Sequence, residues 1–366
     1  MTGTVKAQVL TAPGRLEWRE FPVPDPGENR AVAEVLACGL CGSDVASFQG
    51  SKDHGGPVIL GHEVIGRIVD IGAAAARRWE LSAGDRFAVE EVIPCMSCSD
   101  CRSGRHRVCD RAGVRYGDST IDVAPSLWGG FAEQMVLDPR SQLHPVPDSI
   151  PDDVATLFIP LSNGLGWMRD AGDLRPGDTA VVFGAGQHGV ASALAALHMG
   201  ARRALVVGTL RSRRRLDLAA SLGCETLALD PGDPPGSAVR EHLGGPADVV
   251  MDMTPGAALP LAASIEVVAR DGRVLWGGLK RGDGRAEIPV DEAIRKEVQI
   301  RGLWARPSWA IPAAFEWLAA RPELARLGDS SYPLADLTAA FAAVTSTNSS
   351  EQPLHVSVVS GRVRTP

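Results

Sequence analysis

The hydrophobic and polar positions follow one pattern in the first 150 residues and another after residue 178. The first pattern consists of short apolar segments broken by glycine and proline, and no long amphipathic helix interrupts it. Such spacing predicts a mostly β, barrel-like domain. The segments that show it best are KAQVL, AVAEVLACGL, VIGRIVDIG, DRFAVEEV and GFAEQMVL.

The second pattern alternates continuous apolar segments with helical ones, such as QHGVASALAALHMG and RRRLDLAASLG. This alternation predicts an α/β domain with a doubly wound parallel sheet that is covered by helices on both faces. A helix near 309–320 and a closing strand HVSVVS are predicted to return to the first domain. The predicted strands of the sheet are TAVVFGAG, RALVVGT, ETLALD, DVVMDMT and RVLWGG, with a last one in 297–304.

The change of pattern sets the predicted domain limits. The first domain covers residues 1–155 and includes a cysteine-rich lobe at 95–109. The second covers residues 156–304, and residues 305–366 return to the first domain.

Composition narrows the class of protein. A chain of 366 residues is too long for one compact core, which agrees with two domains. The net charge of −7 and the lack of a long basic stripe argue against nucleic acid as a partner. The N-terminus has no signal-peptide core and no apolar run could cross a bilayer, so we expect a cytoplasmic protein without a membrane partner. Seven cysteines in such a chain indicate metal binding or catalysis rather than disulfides.

A glycine-rich loop lies directly between the first strand and the first helix of the second domain. In VVFGAGQHGV, Gly184, Gly186 and Gly189 form a G-x-G-x-x-G pattern, with Gln187 and His188 between the last two. Glycines permit a tight turn, close approach of the backbone to a pyrophosphate and close packing of helix on strand, while the helix N-terminus favours the anion. In this context the loop predicts a dinucleotide site that includes all five residues.

The end of the next strand bears on which dinucleotide binds. NAD sites usually place Asp or Glu there to bind the ribose 2′-hydroxyl, whereas this chain has Gly208. Thr209, Arg211 and Arg213 follow and could neutralise a 2′-phosphate, so NADP is predicted in preference to NAD. The alternative is a solvated basic start to the next helix, which the helix dipole would not favour.

Four cysteines lie within fifteen residues, in PCMSCSDCRSGRHRVC. Their C-x2-C-x2-C-x7-C spacing lets one small loop surround a tetrahedral ion, and four thiolates leave no open position for a substrate. We therefore predict a structural zinc site at Cys95, Cys98, Cys101 and Cys109. An iron–sulfur cluster is the competing interpretation, but nothing nearby supplies a redox chain.

A second set of zinc-type ligands is divided between ACGLCGSD and LGHEVIG. Cys41, His62 and Glu63 offer sulfur, nitrogen and carboxylate oxygen, and Asp44 could orient His62. Cys38 and Cys41 also form a C-x-x-C, which could indicate thiol redox chemistry. That chemistry needs the N-terminus of a helix in a thioredoxin-like unit, whereas this motif follows a β segment. Cys38 is better interpreted as a buried core residue.

Taken in order, CGSD, GHEVIGRIVDIG, the four-cysteine lobe and the glycine loop resemble the zinc-containing medium-chain dehydrogenase/reductase superfamily, the alcohol and polyol dehydrogenases. The resemblance covers essentially the whole chain. It implies a GroES-like β domain, a Rossmann domain and an active site in the cleft between them. It also implies hydride transfer between the nicotinamide C4 and a carbinol carbon, with zinc polarising the oxygen. Relatives act on small molecules and are usually homodimers or homotetramers.

The resemblance implies roles for individual residues. Cys41 and His62 become ligands of a catalytic zinc, and Glu63 either contacts these ligands without binding the zinc or alternates as a ligand itself. The Ser43 hydroxyl passes the proton of the substrate, and Asp44 completes the catalytic set.

Three aromatic residues fall where relatives line the substrate cleft. They are Phe48, Trp128 and Trp304, and they suggest a bulky or aromatic substrate. Burial in the core accounts for each of them at least as well.

Two positions depart from the family pattern. Ala46 stands where many relatives have a histidine that relays the proton to solvent. His54 offers a substitute, although an isolated loop histidine is usually solvated. Ile159 stands where the family has its third zinc ligand, a Cys or Glu, in a helix predicted through VATLFIPLSNGLGWMRDAG and capped by Asp152 or Asp153.

These departures leave three interpretations. If zinc is retained, Cys41, His62 and Glu63 supply three ligands and leave one position open, and the enzyme interconverts an alcohol and a ketone or aldehyde. If zinc is lost, the same fold serves a zinc-independent, NADPH-dependent enoyl reductase that adds hydride to an activated C=C bond. The third interpretation is a catalytically silent nucleotide-binding protein. The retained ligands favour the zinc-dependent oxidoreductase.

Overall fold

The computed structural model describes residues 3–230, 232–280, 284–346, 348 and 352–360, and these form two compact units. The first unit is drawn from Met1–Phe158, Phe315–Thr345 and His355–Pro366, and the second from Ile159–Ala314 and Ser346–Leu354. The α/β fold class predicted from the sequence, a GroES-like β unit and a Rossmann unit, is confirmed.

The first unit is built on antiparallel sheet, as its alternating segments predict. Within the described residues, β1 and β2 form a hairpin, and the larger sheet has the order β14-β15-β3-β4-β5-β7, with β6 also paired to β3. Its helices are short: α1 (Gly42–Phe48), α2 (Ala73–Trp79), α3 (Ser99–Arg102), α4 (Asp152–Ala155) and α12 (Leu337–Thr345). The strands are β1 (Thr4–Ala12), β2 (Arg15–Pro22), β3 (Ala31–Gly39), β4 (Glu63–Ile71), β5 (Arg86–Val89), β6 (Gln134–Leu137), β7 (Leu143–Pro145), β14 (Ser330–Pro333) and β15 (Val356–Val359).

The second unit is a parallel sheet with the order β10-β9-β8-β11-β12-β13 among the described residues. The sheet begins with β8; β9 and β10 are added on one side of it, and β11, β12 and β13 on the other. In sheets of this kind the ligand binds where the order changes side, at the carboxyl ends of the strands. The strands are β8 (Thr179–Phe183), β9 (Arg203–Thr209), β10 (Glu225–Leu229), β11 (Ala247–Asp252), β12 (Val268–Trp276) and β13 (Gln299–Gly302). The helices are α6 (Gln187–His198), α7 (Arg213–Ser221), α8 (Pro235–Leu243), α9 (Leu259–Val267) and α10 (Val290–Lys296).

The chain enters the second unit through α5 (Phe158–Gly166) and leaves it through α11 (Ala310–Ala320), close to the helix predicted at 309–320. The single helix predicted through residues 154–172 is wrong. It is divided into α4, α5 and a π-helical turn over Trp167–Ala171. Pro160 has no N–H with which to continue a helix from α4, but it is tolerated in the first turn of a new one.

The cap predicted for that helix is also wrong. Pro151 is the N-cap residue of α4 and makes no side-chain cap hydrogen bond. Asp152 and Asp153 lie in the first turn instead, where their negative charge is favourable beside the helix N-terminus.

No helix in the described ranges is both long and apolar enough to cross a lipid bilayer.

Candidate active site

The four cysteines of the lobe converge as their spacing predicts. Their sulfur atoms all lie within 4.8 Å of one another, with Cys95 Sγ and Cys101 Sγ separated by 3.9 Å and Cys98 Sγ and Cys109 Sγ also by 3.9 Å. A tetrahedral ion with sulfur ligands at about 2.3 Å needs sulfur–sulfur separations of about 3.8 Å. The arrangement therefore fits a closed zinc site.

Backbone N–H groups support the thiolates of this lobe. Ser97 N and Cys98 N donate to Cys95 Sγ at 3.4 and 3.3 Å, and Cys101 N donates to Cys98 Sγ at 3.4 Å. The hydrogen bonds from Ser97 lower the pKa of Cys95 to about 5, whereas burial raises the pKa of Cys101 to about 12. One thiol is thus ready to bind a cation and another needs the cation in order to ionise.

Asp44 joins the two sequence motifs of the second site. It lies in the first turn of α1 and is buried, with one carboxylate oxygen accepting from Cys41 N at 2.9 Å and the other from Gly61 N at 3.1 Å. The second of these oxygens also lies 3.6 Å from His62 Nδ1. When the imidazole is neutral, the carboxylate favours the tautomer with the proton on Nδ1, which leaves the lone pair of Nε2 for another group.

Electrostatics around α1 favour a thiolate at Cys41. Burial alone would raise the pKa of Cys41, but the hydrogen bond and charge of His62 outweigh it and lower the pKa. Burial would lower the pKa of His62, yet the charge of Asp44 and its hydrogen bond raise it well above its usual value. Ser43 is exposed on the same turn, and its Oγ lies 3.5 Å from His62 Nε2.

Glu63 opens β4 and is fully buried, with a carboxylate oxygen within 4.8 Å of Cys41 Sγ. It faces Gly39 across the β3–β4 pairing. A methyl group on Gly39 would lie 2.2 Å from Glu63 Oε2 and 3.0 Å from His355 Cε1. Gly39 is therefore required to leave room for this carboxylate.

His355 is a neighbour of the site that sequence reasoning missed. It is buried and its Nε2 lies 2.8 Å from Thr156 Oγ1. The same hydroxyl donates to Asp153 O at 2.6 Å and lies 2.8 Å from Ser357 Oγ. The only signal in the sequence was a histidine inside the apolar segment PLHVSVV, and nothing local connects it to Glu63.

The structure gives the loop histidine more partners than the sequence suggested. His54 has only 4% of its side chain exposed, and the expectation of a solvated residue is wrong. Its Nδ1 lies 2.8 Å from Asp118 Oδ1, and its Nε2 lies 2.8 Å from Ser47 Oγ. The Ser47 hydroxyl in turn donates to the Ser43 carbonyl at 3.1 Å. His54 thus supports the helix that carries Ser43, and Ala46 on the same helix has no side-chain group that could relay a proton.

The glycine loop of the second unit has the geometry of a phosphate cradle. Gly184 has φ +109°, and a methyl group on Gly189 would lie 1.9 Å from Gly184 O. Gly186 is the N-cap residue of α6, and its Cα faces open space, so an anion can approach the backbone there. Gln187 begins α6 directly after it.

The His188 ring contacts two residues of the second unit. Its Nδ1 lies 3.3 Å from Asn163 Nδ2, and its ring centroid lies 5.6 Å from that of Trp167. Ile159 is buried in α5, the helix that also carries Asn163.

The residues predicted to select NADP lie at the end of β9 and directly after it. Gly208 is the penultimate residue of that strand and Thr209 is its last, and both Thr209 and Arg211 are exposed. Arg213 begins α7 and its Nε lies 3.2 Å from Asp217 Oδ1. In the described part of the chain no hydrogen bond or ion pair engages the Arg211 guanidinium.

The three aromatic residues differ in exposure. Trp128 is buried in the first unit and its Nε1 donates to Val123 O at 2.8 Å, so a core role accounts for it. Phe48 stacks on Phe341 with ring centroids 4.3 Å apart. Trp304 follows β13 and is 58% exposed, which leaves it as the candidate for a ligand contact.

Comparison with known proteins agrees with this geometry. Residues 27–148 match the family model of the alcohol dehydrogenase GroES-like domain, and residues 188–320 match that of the zinc-binding dehydrogenases. A probable alcohol dehydrogenase of Mycobacterium tuberculosis is 39% identical over 319 residues, which cover 86% of this chain and 87% of that protein. The chain belongs to the zinc-containing medium-chain dehydrogenase/reductase superfamily.

Other members of the superfamily extend the comparison. An L-threonine 3-dehydrogenase of Deinococcus deserti is 32% identical, with 78% of this chain and 79% of that protein covered. The alcohol dehydrogenase of Thermus sp. ATN1 superposes with a TM-score of 0.83 at 26% identity, over 97% of this chain and 99% of that one. As a member of this superfamily, the chain is an NAD(P)-dependent oxidoreductase of the alcohol dehydrogenase type.

Proposed function

We propose that this enzyme interconverts an alcohol and a ketone or aldehyde, with a catalytic zinc ion and with NADP in preference to NAD. The observation that carries the proposal is the Asp44 carboxylate, which ties Cys41 to the Gly61–His62 segment beside the buried Glu63. A buried carboxylate next to a cysteine and a histidine is costly unless a cation or protons balance it. Thiolate, imidazole and carboxylate together are a donor set for zinc.

Cys41, His62 and Glu63 would hold the catalytic metal, and the four lobe cysteines the structural one. When bound, the catalytic ion supplies a Lewis acid that stabilises negative charge on the substrate oxygen. Asp44 keeps the proton of the neutral His62 ring on Nδ1. It also accepts a hydrogen bond from Cys41 N, which restricts the backbone conformation of Cys41.

Ser43 is the residue placed to move the substrate proton. Its hydroxyl lies on the exposed side of the first turn of α1, 3.5 Å from His62 Nε2. A hydroxyl both donates and accepts, so it can take the proton of an alcohol while it passes its own onward. His54 and Ser47 hold this turn in place through the Ser43 carbonyl.

The second unit would hold the dinucleotide. Gly184, Gly186 and the N-terminus of α6 receive the pyrophosphate, because the free N–H groups and the helix dipole favour an anion. Gly208 occupies the position at which NAD-binding proteins usually have an acidic residue. We assign the Arg211 guanidinium to the 2′-phosphate of NADP. Arg213 is a weaker candidate because it lies beside Asp217.

The test is turnover of secondary alcohols, ketones and aldehydes with NADP(H) and NAD(H), in the wild type and in Cys41→Ser. We expect the substitution to lower kcat/KM for carbonyl reduction by about a hundredfold or more, since it removes a ligand of the ion that polarises the oxygen. Cys224→Ser, which replaces a buried cysteine of the second unit, is the matched control and should keep its activity. Equal turnover in Cys41→Ser and wild type would contradict the zinc mechanism.

A second candidate function rests on Ile159, an apolar and buried residue where the family has a ligand. It is the zinc-independent reduction of an activated C=C bond with NADPH. This reaction would survive Cys41→Ser, so the same variant separates the two candidates when a conjugated enone is added to the panel. A protein that binds NADPH but turns over none of these substrates would be the silent nucleotide-binding protein.

A further inference from the structure

A buried carboxylate residue joins two turns at the carboxyl ends of the parallel strands of the second unit. Asp252 is the last residue of β11 and is fully buried. Its Oδ1 accepts from Thr254 N at 2.9 Å and from Thr254 Oγ1 at 2.5 Å. Its backbone oxygen accepts from Gly277 N at 2.9 Å and Gly278 N at 3.1 Å, directly after β12. Asp252 therefore connects the turn after β11 to the turn after β12.

Lys280 completes this cluster. Its ammonium donates to Asp252 Oδ2, to Thr254 O at 2.7 Å and to Thr254 Oγ1 at 3.2 Å. An ammonium has three N–H donors, so all of them are used. Only 9% of the Lys280 side chain is exposed and none of the Asp252 side chain. Burying two charges is expensive, and a hydrophobic pair would often be as stable, so stability alone is a weak reason for this pair.

The turn that carries Thr254 is in contact with the start of the glycine loop. Met253 N donates to Phe183 O at 2.8 Å, at the end of the strand that leads into the loop. A methyl group on Gly184 would lie 3.0 Å from the Met253 carbonyl carbon and 3.2 Å from Thr254 N. The Met253–Thr254 turn therefore packs against Gly184 at the end of β8.

The strand order indicates which half of the dinucleotide would lie near Asp252 and Lys280. The glycine loop follows β8, and the residues that meet the adenosine ribose follow β9 on one side of it. β11 and β12 lie on the other side of β8. A dinucleotide that crosses this crevice must place its nicotinamide half over the turns that Asp252 and Lys280 connect.

We propose that Lys280, Asp252 and Thr254 are positioning residues for the nicotinamide half of the cofactor. They hold the turns after β11 and β12 in the one arrangement that receives the nicotinamide nucleotide. The inference rests on the proposed function, because it assumes that the crevice binds NADP(H).

The experiment compares two ligands and two buried ion pairs. The ligands are NADPH and adenosine 2′,5′-bisphosphate, which carries the adenine half alone, and both dissociation constants are measured by calorimetry. The control pair is Arg273 with Asp178, which is similarly buried at 12% and 15% side-chain exposure. Asp178 directly precedes the first residue of β8, so this pair lies at the amino-terminal end of that strand, whereas the glycine loop follows its carboxyl end. Lys280→Met is compared with Arg273→Met.

We expect Lys280→Met to raise the Kd for NADPH about tenfold or more and to leave the Kd for the bisphosphate within about twofold. Arg273→Met should lower the melting temperature but leave both Kd values near those of the wild type. Thr254→Val keeps the shape and the ion pair and serves as the milder variant, with an expected rise of about threefold for NADPH only.

Two results would overturn the inference. One is an unchanged Kd for NADPH in both Lys280→Met and Thr254→Val. The other is an equal loss of affinity in Lys280→Met and Arg273→Met, which would mean that the pair acts only through stability. If the wild type binds neither ligand, the proposed function fails instead, so the two failures are distinguishable.

Discussion

A methyl group on Gly208 would lie 3.1–3.3 Å from side-chain carbons of Ser212, Ala185 and Leu216. The sequence suggested that Gly208 replaces an acidic residue because NADP is preferred. The structure adds a second reason for this glycine, since a side chain there would crowd its neighbours. Ala185 lies inside the glycine loop, so any side chain at position 208 also presses on the phosphate cradle. At the scale of one residue, the proposed selection of NADP and the packing of the glycine loop therefore depend on the same position, Gly208.

Gly208→Asp is expected to lower the ratio of kcat/KM with NADP(H) to that with NAD(H) by about tenfold. A carboxylate there repels the 2′-phosphate and accepts a hydrogen bond from the 2′-hydroxyl of NAD. Gly208→Ala introduces the same crowding without charge and is the control. Steady-state kinetics with both cofactors measures the ratio. A ratio that is the same in the two variants would show that charge at this position does not select the cofactor.

At the scale of elements, the sequence predicted best what lies close together in the chain. The lobe cysteines lie within fifteen residues, and the glycine loop joins one strand to one helix, so spacing alone placed them correctly. Contacts between distant segments could not be predicted in this way. His54 meets Asp118 and Glu63 lies near His355 only because strands and loops far apart in sequence fold together. Those contacts surround the candidate site and add to the support that Asp44 gives it.

The loop that carries His54 makes acid stability testable. The hydrogen bond from His54 lowers the pKa of Asp118 well below its usual value; burial opposes this, and Lys52 at 2.6 Å adds to it. A carboxyl group whose pKa is lower in the folded state stabilises the fold above its unfolded pKa, near 3.9, and loses that contribution as the pH falls. The stabilisation is thus complete at neutral pH and declines below about pH 5.

We expect Asp118→Asn to lower the melting temperature by about 2–4 °C at pH 7, with a gap to the wild type that narrows between pH 5 and pH 3. Asp336→Asn removes an exposed carboxylate from the first unit and should change the melting temperature little at any of these pH values. Thermal unfolding followed by intrinsic fluorescence gives both curves. A gap that stays constant or widens in acid would contradict the assignment.

At the scale of the whole molecule, the two hydrophobic patterns of the chain identified the fold class. A strand that is buried on both faces of a sheet is a continuous apolar segment, whereas a strand with one buried face alternates apolar and polar residues. Each unit carries a different part of the proposed chemistry: the first has the zinc-type ligands and the second the dinucleotide crevice. The homodimer or homotetramer and the bulky substrate remain predictions. The proposed mechanism depends on whether zinc binds with Ile159 at the position of the third family ligand.

Zinc per chain, measured by elemental mass spectrometry on protein purified without added metal or chelator, tests that claim most directly. We expect about two ions in the wild type and about one in Cys41→Ser, since the lobe cysteines keep theirs. A wild-type value of about one, unchanged in Cys41→Ser, would mean that only the lobe is filled. The zinc-dependent mechanism would then be wrong, and reduction of a conjugated C=C bond would take its place.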